Sequence, residues 1–198
     1  MLHTASGILV EKLYIRCPLP QEKKAIYVYG VEITISTMIA LLSAFLFSLA
    51  TKNLFCFFSF LLCFVVVRLF TGGYHAKTYC KCFVFTNSIY LLILFFGLIA
   101  KHYRLFYIIP LCIVFANLII LRFSPVRNKK HPLSDRRYKV NFVVSRVLIL
   151  TLTLILVSLY FFSNLVSYLY FPVLALTAVA VMIIPTITER RRVNGKHL

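Results

Sequence analysis

A histidine and two cysteines lie close together in RLFTGGYHAKTYCKC, residues 68–82. A thiol attacks carbonyl groups as its thiolate, and a nearby histidine can take up the proton. On a regular helix Cys82 shares a face with His75, about 10.5 Å along the axis, whereas Cys80 lies roughly 140° around it. A direct His75–Cys82 hydrogen bond therefore requires irregular backbone near Gly73. We predict His75 and Cys82 as catalytic residues, with Cys80 as the alternative nucleophile.

The same side chains also have non-catalytic interpretations. A histidine and two cysteines at a membrane surface are more often incidental than catalytic. A zinc site built from His75, Cys80 and Cys82 would have atypical Cys-x-Cys spacing and no evident fourth ligand. The neighbouring lysines could simply anchor the chain in anionic headgroups. We therefore expect neither a metal nor a cofactor.

The segment that carries these residues lies between apolar stretches. The chain has 198 residues, of which 61% are hydrophobic, more than the roughly one half that is usual for a soluble domain. Apolar runs of about 18 residues or more are typical of transmembrane helices. The sequence thus predicts an all-α, polytopic membrane bundle of about six transmembrane helices. The predicted spans are about 31–50, 53–70, 83–100, 105–121, 141–162 and 167–187.

These spans divide the chain into recognisable segments. We predict one membrane-embedded domain, 1–198, that begins with an interfacial amphipathic segment at 1–27. The catalytic segment is 68–82, and Gly72 and Gly73 would break the helix there and let backbone approach a substrate. A basic loop occupies 122–140.

The net charge of +17 is explained largely by topology. With six spans, 18 of the 22 lysines and arginines fall on one side of the membrane and 3 on the other. By the positive-inside rule, both termini and the catalytic segment face the cytoplasm, where thiols stay reduced. A nucleic-acid partner is not expected, because no soluble basic domain is present.

Three charged residues fall at or within the predicted spans. Glu32 opens the first span and Arg68 closes the second, so both lie at the cytoplasmic membrane level. Charges inside spans are costly and usually paired, which predicts a Glu32–Arg68 ion pair; two independent interfacial anchors are an equal alternative. Arg146 lies inside the fifth span without an obvious acidic partner.

Several of these motifs together resemble the accessory gene regulator B (AgrB) family of bacterial membrane cysteine endopeptidases. The resemblance covers essentially the whole chain. The matching positions are Glu32, Arg68, Gly72, Gly73, His75, Cys82 and Ser124-Pro125-Val126-x-Asn128-x3-Pro132-Leu133. Cys80 is not part of the family motif.

The resemblance implies a role in quorum sensing. In the family, the residue matching Cys82 attacks a propeptide of the AgrD type, the C-terminal tail leaves, and a thioester remains on the enzyme. A cysteine or serine of the peptide then closes a thiolactone or lactone, and the residue matching His75 acts as general base and acid. The resemblance also suggests a homodimer in the bacterial cell membrane, in contact with lipid. The alternative is a non-enzymatic small transporter or peptide exporter.

The basic loop has a functional interpretation beside its topological one. Family propeptides tend to have acidic C-terminal tails, which a cationic surface could capture by electrostatic steering. The candidate tail-binding residues are Arg127, Lys129, Lys130, Arg136 and Arg137. Topology determination alone is the alternative explanation for these charges.

Overall fold

The computed structural model describes residues 6–11, 24–72, 79–126, 134–162 and 166–194, and within these ranges it contains helices and short connections but no β-strand. The predicted all-α membrane bundle is confirmed. Helix α1 covers residues 6–11. The longer helices are α2 (Lys24–Ala50), α3 (Leu54–Thr71), α4 (Tyr79–His102), α5 (Ile108–Phe123), α6 (Asp135–Phe162) and α7 (Tyr170–Asn194). A 3-10 turn, Val166–Tyr168, precedes α7.

Five helical stretches in the described part of the chain are long and apolar enough to cross a membrane. They are Gly30–Ala50, Leu54–Thr71, Lys81–His102, Asp135–Phe162 and Val166–Thr186. The predicted fourth span corresponds to α5, which has only 16 residues. Such a helix is about 24 Å long, shorter than the roughly 30 Å hydrocarbon core of a bilayer.

Helix α6 begins earlier than the sequence predicts. It starts at Asp135, so the last part of the predicted loop at 122–140 is helical. Ser134 precedes the helix, and its hydroxyl accepts a hydrogen bond from the backbone N–H of Arg137 at 3.4 Å. A serine in this position satisfies a donor that the first helical turn leaves unpaired.

Only part of the predicted interfacial segment at 1–27 is described. Residues 6–11 are helical, and Ile8 and Leu9 are exposed. The ammonium of Lys24 lies 3.4 Å from a carboxylate oxygen of Glu11, an exposed pair that contributes little to stability. Residues 12–23 lie outside the described part, and the interfacial role stays a prediction.

The described helices form two compact units. The first comprises the described parts of Met1–Phe47 and Ala76–Ser88. In it, the hydroxyl of Ser43 on α2 donates a 2.6 Å hydrogen bond to the side-chain oxygen of Asn87 on α4. A bond between membrane helices stabilises their packing by about 0.6–2 kcal/mol.

The second unit comprises the described parts of Ser48–His75 and Ile89–Leu198, and α7 lies at its centre. Helix α7 packs against α5 and against the middle of α3. That middle, Phe60–Val66, is π-helical and buries Phe60 and Phe64, whose rings stack with centroids 4.7 Å apart. Helices α5 and α6 are joined by a 2.8 Å hydrogen bond from the Asn117 amide to the Thr153 hydroxyl.

Gly97 on α4 allows a close contact with α7. A Cβ atom at this position would lie 2.6 Å from two ring carbons of Phe171. Phe171 is fully buried, so its ring has little freedom to move away. The absent side chain at position 97 is therefore what lets the ring pack against the helix.

The Gly97→Ala variant is expected to be less stable by about 1–3 kcal/mol because of overpacking. In thermal unfolding of the detergent-solubilised protein this corresponds to a Tm lower by about 3–10 °C. Gly30→Ala is the matched control, because nothing lies within 4 Å of a Cβ atom at that position. A Tm for Gly97→Ala equal to that of Gly30→Ala would contradict the packing described here.

Candidate functional site

Helix α3 ends at a glycine whose conformation other residues rarely adopt. The N–H of Gly72 donates to the carbonyl of Arg68 at 3.0 Å, which closes the last helical turn. Gly72 then has φ 72° and ψ −155°. A side chain is strongly disfavoured at this combination of angles, so this glycine determines how the chain leaves the helix.

The segment after α5 packs against this corner. The backbone N–H of Val126 donates to the carbonyl of Thr71 at 3.0 Å. A Cβ atom on Gly72 would lie 3.3 Å from the carbonyl oxygen of Val126. Thr71 and Ser124 are buried. We call this contact the Thr71–Val126 junction; it joins the end of α3 to the start of the basic loop.

Arg68 lies in the last turn of α3, as predicted. It is partly buried, and its guanidinium carbon lies 5.6 Å from the centroid of the Phe64 ring, within range of a cation–π interaction. Glu32 lies in α2 and is 5% exposed, so its carboxyl group is removed from water. The two residues belong to different compact units, and their pairing stays a prediction.

Cys82 is partly exposed, three residues into the described part of α4. Two other cysteines, Cys56 and Cys63, are buried in α3. A substrate at the surface could therefore reach the thiol of Cys82 but not those two. Cys80 is in the same helix, with its side chain outside the described part.

Several predicted residues fall where the structure gives no description. His75 and Gly73 lie within residues 73–78, and Arg127, Lys129 and Lys130 lie within 127–133; both stretches are outside the described residues. Of the candidate tail-binding residues, Arg136 and Arg137 are described, and both are exposed in the first turn of α6. Among the described residues no group of three or more His, Cys, Asp or Glu side chains could hold a metal ion.

The structure adds one residue that the sequence left unassigned. Arg146 on α6 contacts the end of α5, next to the Thr71–Val126 junction. The signal in the sequence was the arginine itself, since a charge inside a span without an acidic partner must be stabilised by other groups.

Comparisons with a family model and with a known protein indicate the same family. The model of the family described as AgrB, accessory gene regulator B, matches residues 6–188. An AgrB-like protein of Clostridium perfringens (strain SM101 / Type A) is 26% identical over 166 residues, which cover 78% of this chain and 74% of the relative. No solved structure matches the chain.

Proposed function

Because the chain belongs to the AgrB family, which processes quorum-sensing propeptides, we propose that it is a membrane cysteine endopeptidase acting on an AgrD-type propeptide. The observation that carries this proposal is the family match over residues 6–188, which includes the whole catalytic segment at 68–82. The partly exposed thiol of Cys82 supports it. The fold supports it too, since the membrane helices would hold the site at the bilayer surface.

The proposed reaction begins at Cys82. His75 accepts the thiol proton, and the sulfur attacks the carbonyl carbon of the scissile peptide bond. The carbon–nitrogen bond breaks, His75 gives its proton to the departing amine, and the C-terminal tail leaves. The rest of the peptide is then joined to Cys82 as a thioester.

Ring closure releases the product from this thioester. A cysteine thiol or serine hydroxyl within the peptide attacks the thioester carbonyl, and the bond to the Cys82 sulfur breaks. The proton of the attacking group returns to Cys82, so the enzyme is regenerated. The thioester keeps the acyl group activated, provided that water is kept from it. The product is a thiolactone or a lactone.

The remaining predicted residues would support this site. Glu32 and Arg68 would hold the end of α3, and Gly72 and Gly73 would give the backbone its shape there. The basic residues from Arg127 to Arg137 would attract an acidic tail. Exchanging the charges of Glu32 and Arg68 tests their pairing. If they form an ion pair, tail release should be closer to the wild-type rate in the double exchange than in either single change.

We further propose a homodimer in the bacterial cell membrane, with both termini in the cytoplasm. This orientation requires α5 to cross the bilayer despite its 16 residues. A reporter that is active only in the cytoplasm, fused to each end in turn, tests it. Activity at one end alone would contradict six crossings, and a monomeric mass in nanodiscs would contradict the dimer.

Tail release from a cognate propeptide in detergent is the test of the proposed function. A peptidase needs no sealed vesicle, so the purified protein should release the tail in detergent micelles, whereas an exporter would not.

The apparent KM should rise with salt if the basic loop attracts the tail, because salt screens exposed charges. Absence of cleavage by folded protein would contradict the proposed function, and a KM independent of salt would contradict tail capture.

A further inference from the structure

Arg146 lies within a membrane-spanning helix, and its described hydrogen-bond partners are backbone carbonyls. One guanidinium nitrogen, Nη2, donates to the carbonyl of Leu121 at 3.0 Å. The other, Nη1, lies 3.4 Å from the carbonyl oxygen of Ser124 and 3.3 Å from that of Phe142. The guanidinium carbon lies 3.4 Å from the centroid of the Phe142 ring.

These partners explain how the charge is accommodated in the span. An arginine inside a membrane helix is costly unless other groups compensate its charge. The carbonyls of Leu121 and Ser124 are at the C-terminal end of α5, where the helix dipole is negative. The forked guanidinium can bind both carbonyls at once, which an ammonium cannot do in the same geometry.

The position of Arg146 has a consequence for the neighbouring backbone. Ser124, whose carbonyl it binds, is followed directly by Pro125 and Val126. The N–H of Val126 donates to the carbonyl of Thr71 in the Thr71–Val126 junction. The last turn of α3, Val67–Thr71, also packs against α6, the helix that carries Arg146. Arg146 therefore holds the segment that in turn holds the carbonyl of Thr71, next to Gly72.

We propose that Arg146 and the backbone N–H of Val126 are positioning elements for the catalytic segment. The inference rests on the proposed function, because it takes His75, which follows Gly72 closely in the chain, as a catalytic residue. Arg146 fixes the end of α5 and the Thr71–Val126 junction fixes the end of α3, so the chain leaves Gly72 towards His75 in one direction. An arginine that only anchored α6 would direct its donors to headgroups or water, not to carbonyls of a neighbouring helix.

The test is a matched pair of variants at position 126. Val126→Pro removes the N–H that bonds to Thr71, whereas Val126→Ala keeps it. Val126 lies outside the helices, so both variants should fold, and thermal unfolding in detergent checks this. Single-turnover acylation by a cognate AgrD-type propeptide gives the rate constant of the folded enzyme. Propeptide Kd is measured separately in a Cys82→Ala background.

We expect acylation to be slower in Val126→Pro than in Val126→Ala by about 10- to 100-fold, because a displacement of about 1 Å can cost that much. The Kd should change by less than about threefold. The attraction between the basic loop and an acidic tail acts over roughly 8 Å at physiological salt, so it does not depend on the exact position of the catalytic residues. Arg146→Leu should resemble Val126→Pro, and Arg146→Lys should be intermediate.

Each outcome decides the inference. Equal acylation by the two Val126 variants, with cleavage by the wild type intact, would overturn the positioning role alone. A rise in Kd as large as the fall in acylation would also overturn it, because substrate binding would then be the property lost. If wild-type protein shows no acylation that depends on Cys82, the proposed function and this inference fail together.

Discussion

The Cys82→Ala variant is expected to release no measurable tail from a cognate propeptide. Removing a nucleophile eliminates the covalent pathway altogether, and in a cysteine or serine protease this costs roughly 10⁴-fold or more in turnover. The fold should be unaffected, because Cys82 is a small, partly exposed side chain in α4. Tail release is measured by mass spectrometry of the peptide mixture, and folding by the thermal unfolding midpoint.

Cys80→Ala is the matched control for this prediction. It removes the same group two positions earlier and should leave substantial activity. Complete loss in Cys80→Ala, together with activity in Cys82→Ala, would reverse the assignment of the nucleophile. A variant lacking His75 should be as inactive as one lacking both His75 and Cys82, because residues that act as a unit are not additive.

Replacing Gly72 by alanine should lower the rate of tail release by about 10- to 100-fold. The alanine would have to adopt φ 72° and ψ −155°, which costs on the order of 1–3 kcal/mol. Its Cβ would also lie 3.3 Å from the carbonyl oxygen of Val126, so the Thr71–Val126 junction must shift. The chain would then leave position 72 towards His75 in a different direction.

Gly72→Asn tests whether the effect comes from the positive φ alone or from the combination of this φ with its ψ. Asparagine tolerates the left-handed helical region, but a ψ of −155° lies outside that region. The asparagine variant should therefore be as impaired as the alanine variant. Gly30→Ala, with free space around the added methyl group, should cleave normally. Wild-type rates for Gly72→Ala would show that this conformation is not needed for catalysis.

Much of the fold could be predicted from the sequence because long apolar runs leave few alternatives to membrane helices. Five of the predicted spans correspond to helices long enough to cross a bilayer. The predicted fourth span corresponds to α5, which has only 16 residues. The early start of α6 was missed because Arg136 and Arg137 suggested a solvated loop, although charged residues are common in a helix that extends beyond the bilayer.

Other features had no recognisable pattern in the sequence. The π-helical stretch Phe60–Val66 changes which residues of α3 face α7, and apolar side chains occur on all faces there. The close contact of Gly97 with Phe171 depends on tertiary packing. Nor could spacing alone pair Arg146 with Leu121 and Ser124, since backbone carbonyls are present at every position.

The candidate site was predicted from residue types, their spacing on a helix and the family resemblance. Gly72 was singled out as a helix breaker, and its backbone angles explain why a glycine is needed. Cys82 is partly exposed and Arg68 lies in the last turn of α3, and their roles stay predictions. The pairing of His75 with Cys82 and of Glu32 with Arg68 stays a prediction.

Whether Cys82 forms a thioester with its substrate is decided by the intact mass of the protein after brief incubation with a cognate AgrD-type propeptide. We expect an adduct with the mass of the peptide without its C-terminal tail, labile to hydroxylamine as a thioester should be. This adduct should form in the wild type and in Cys80→Ala and should be absent from Cys82→Ala. If folded wild-type protein forms no adduct and releases no tail, the chain is not the proposed cysteine endopeptidase.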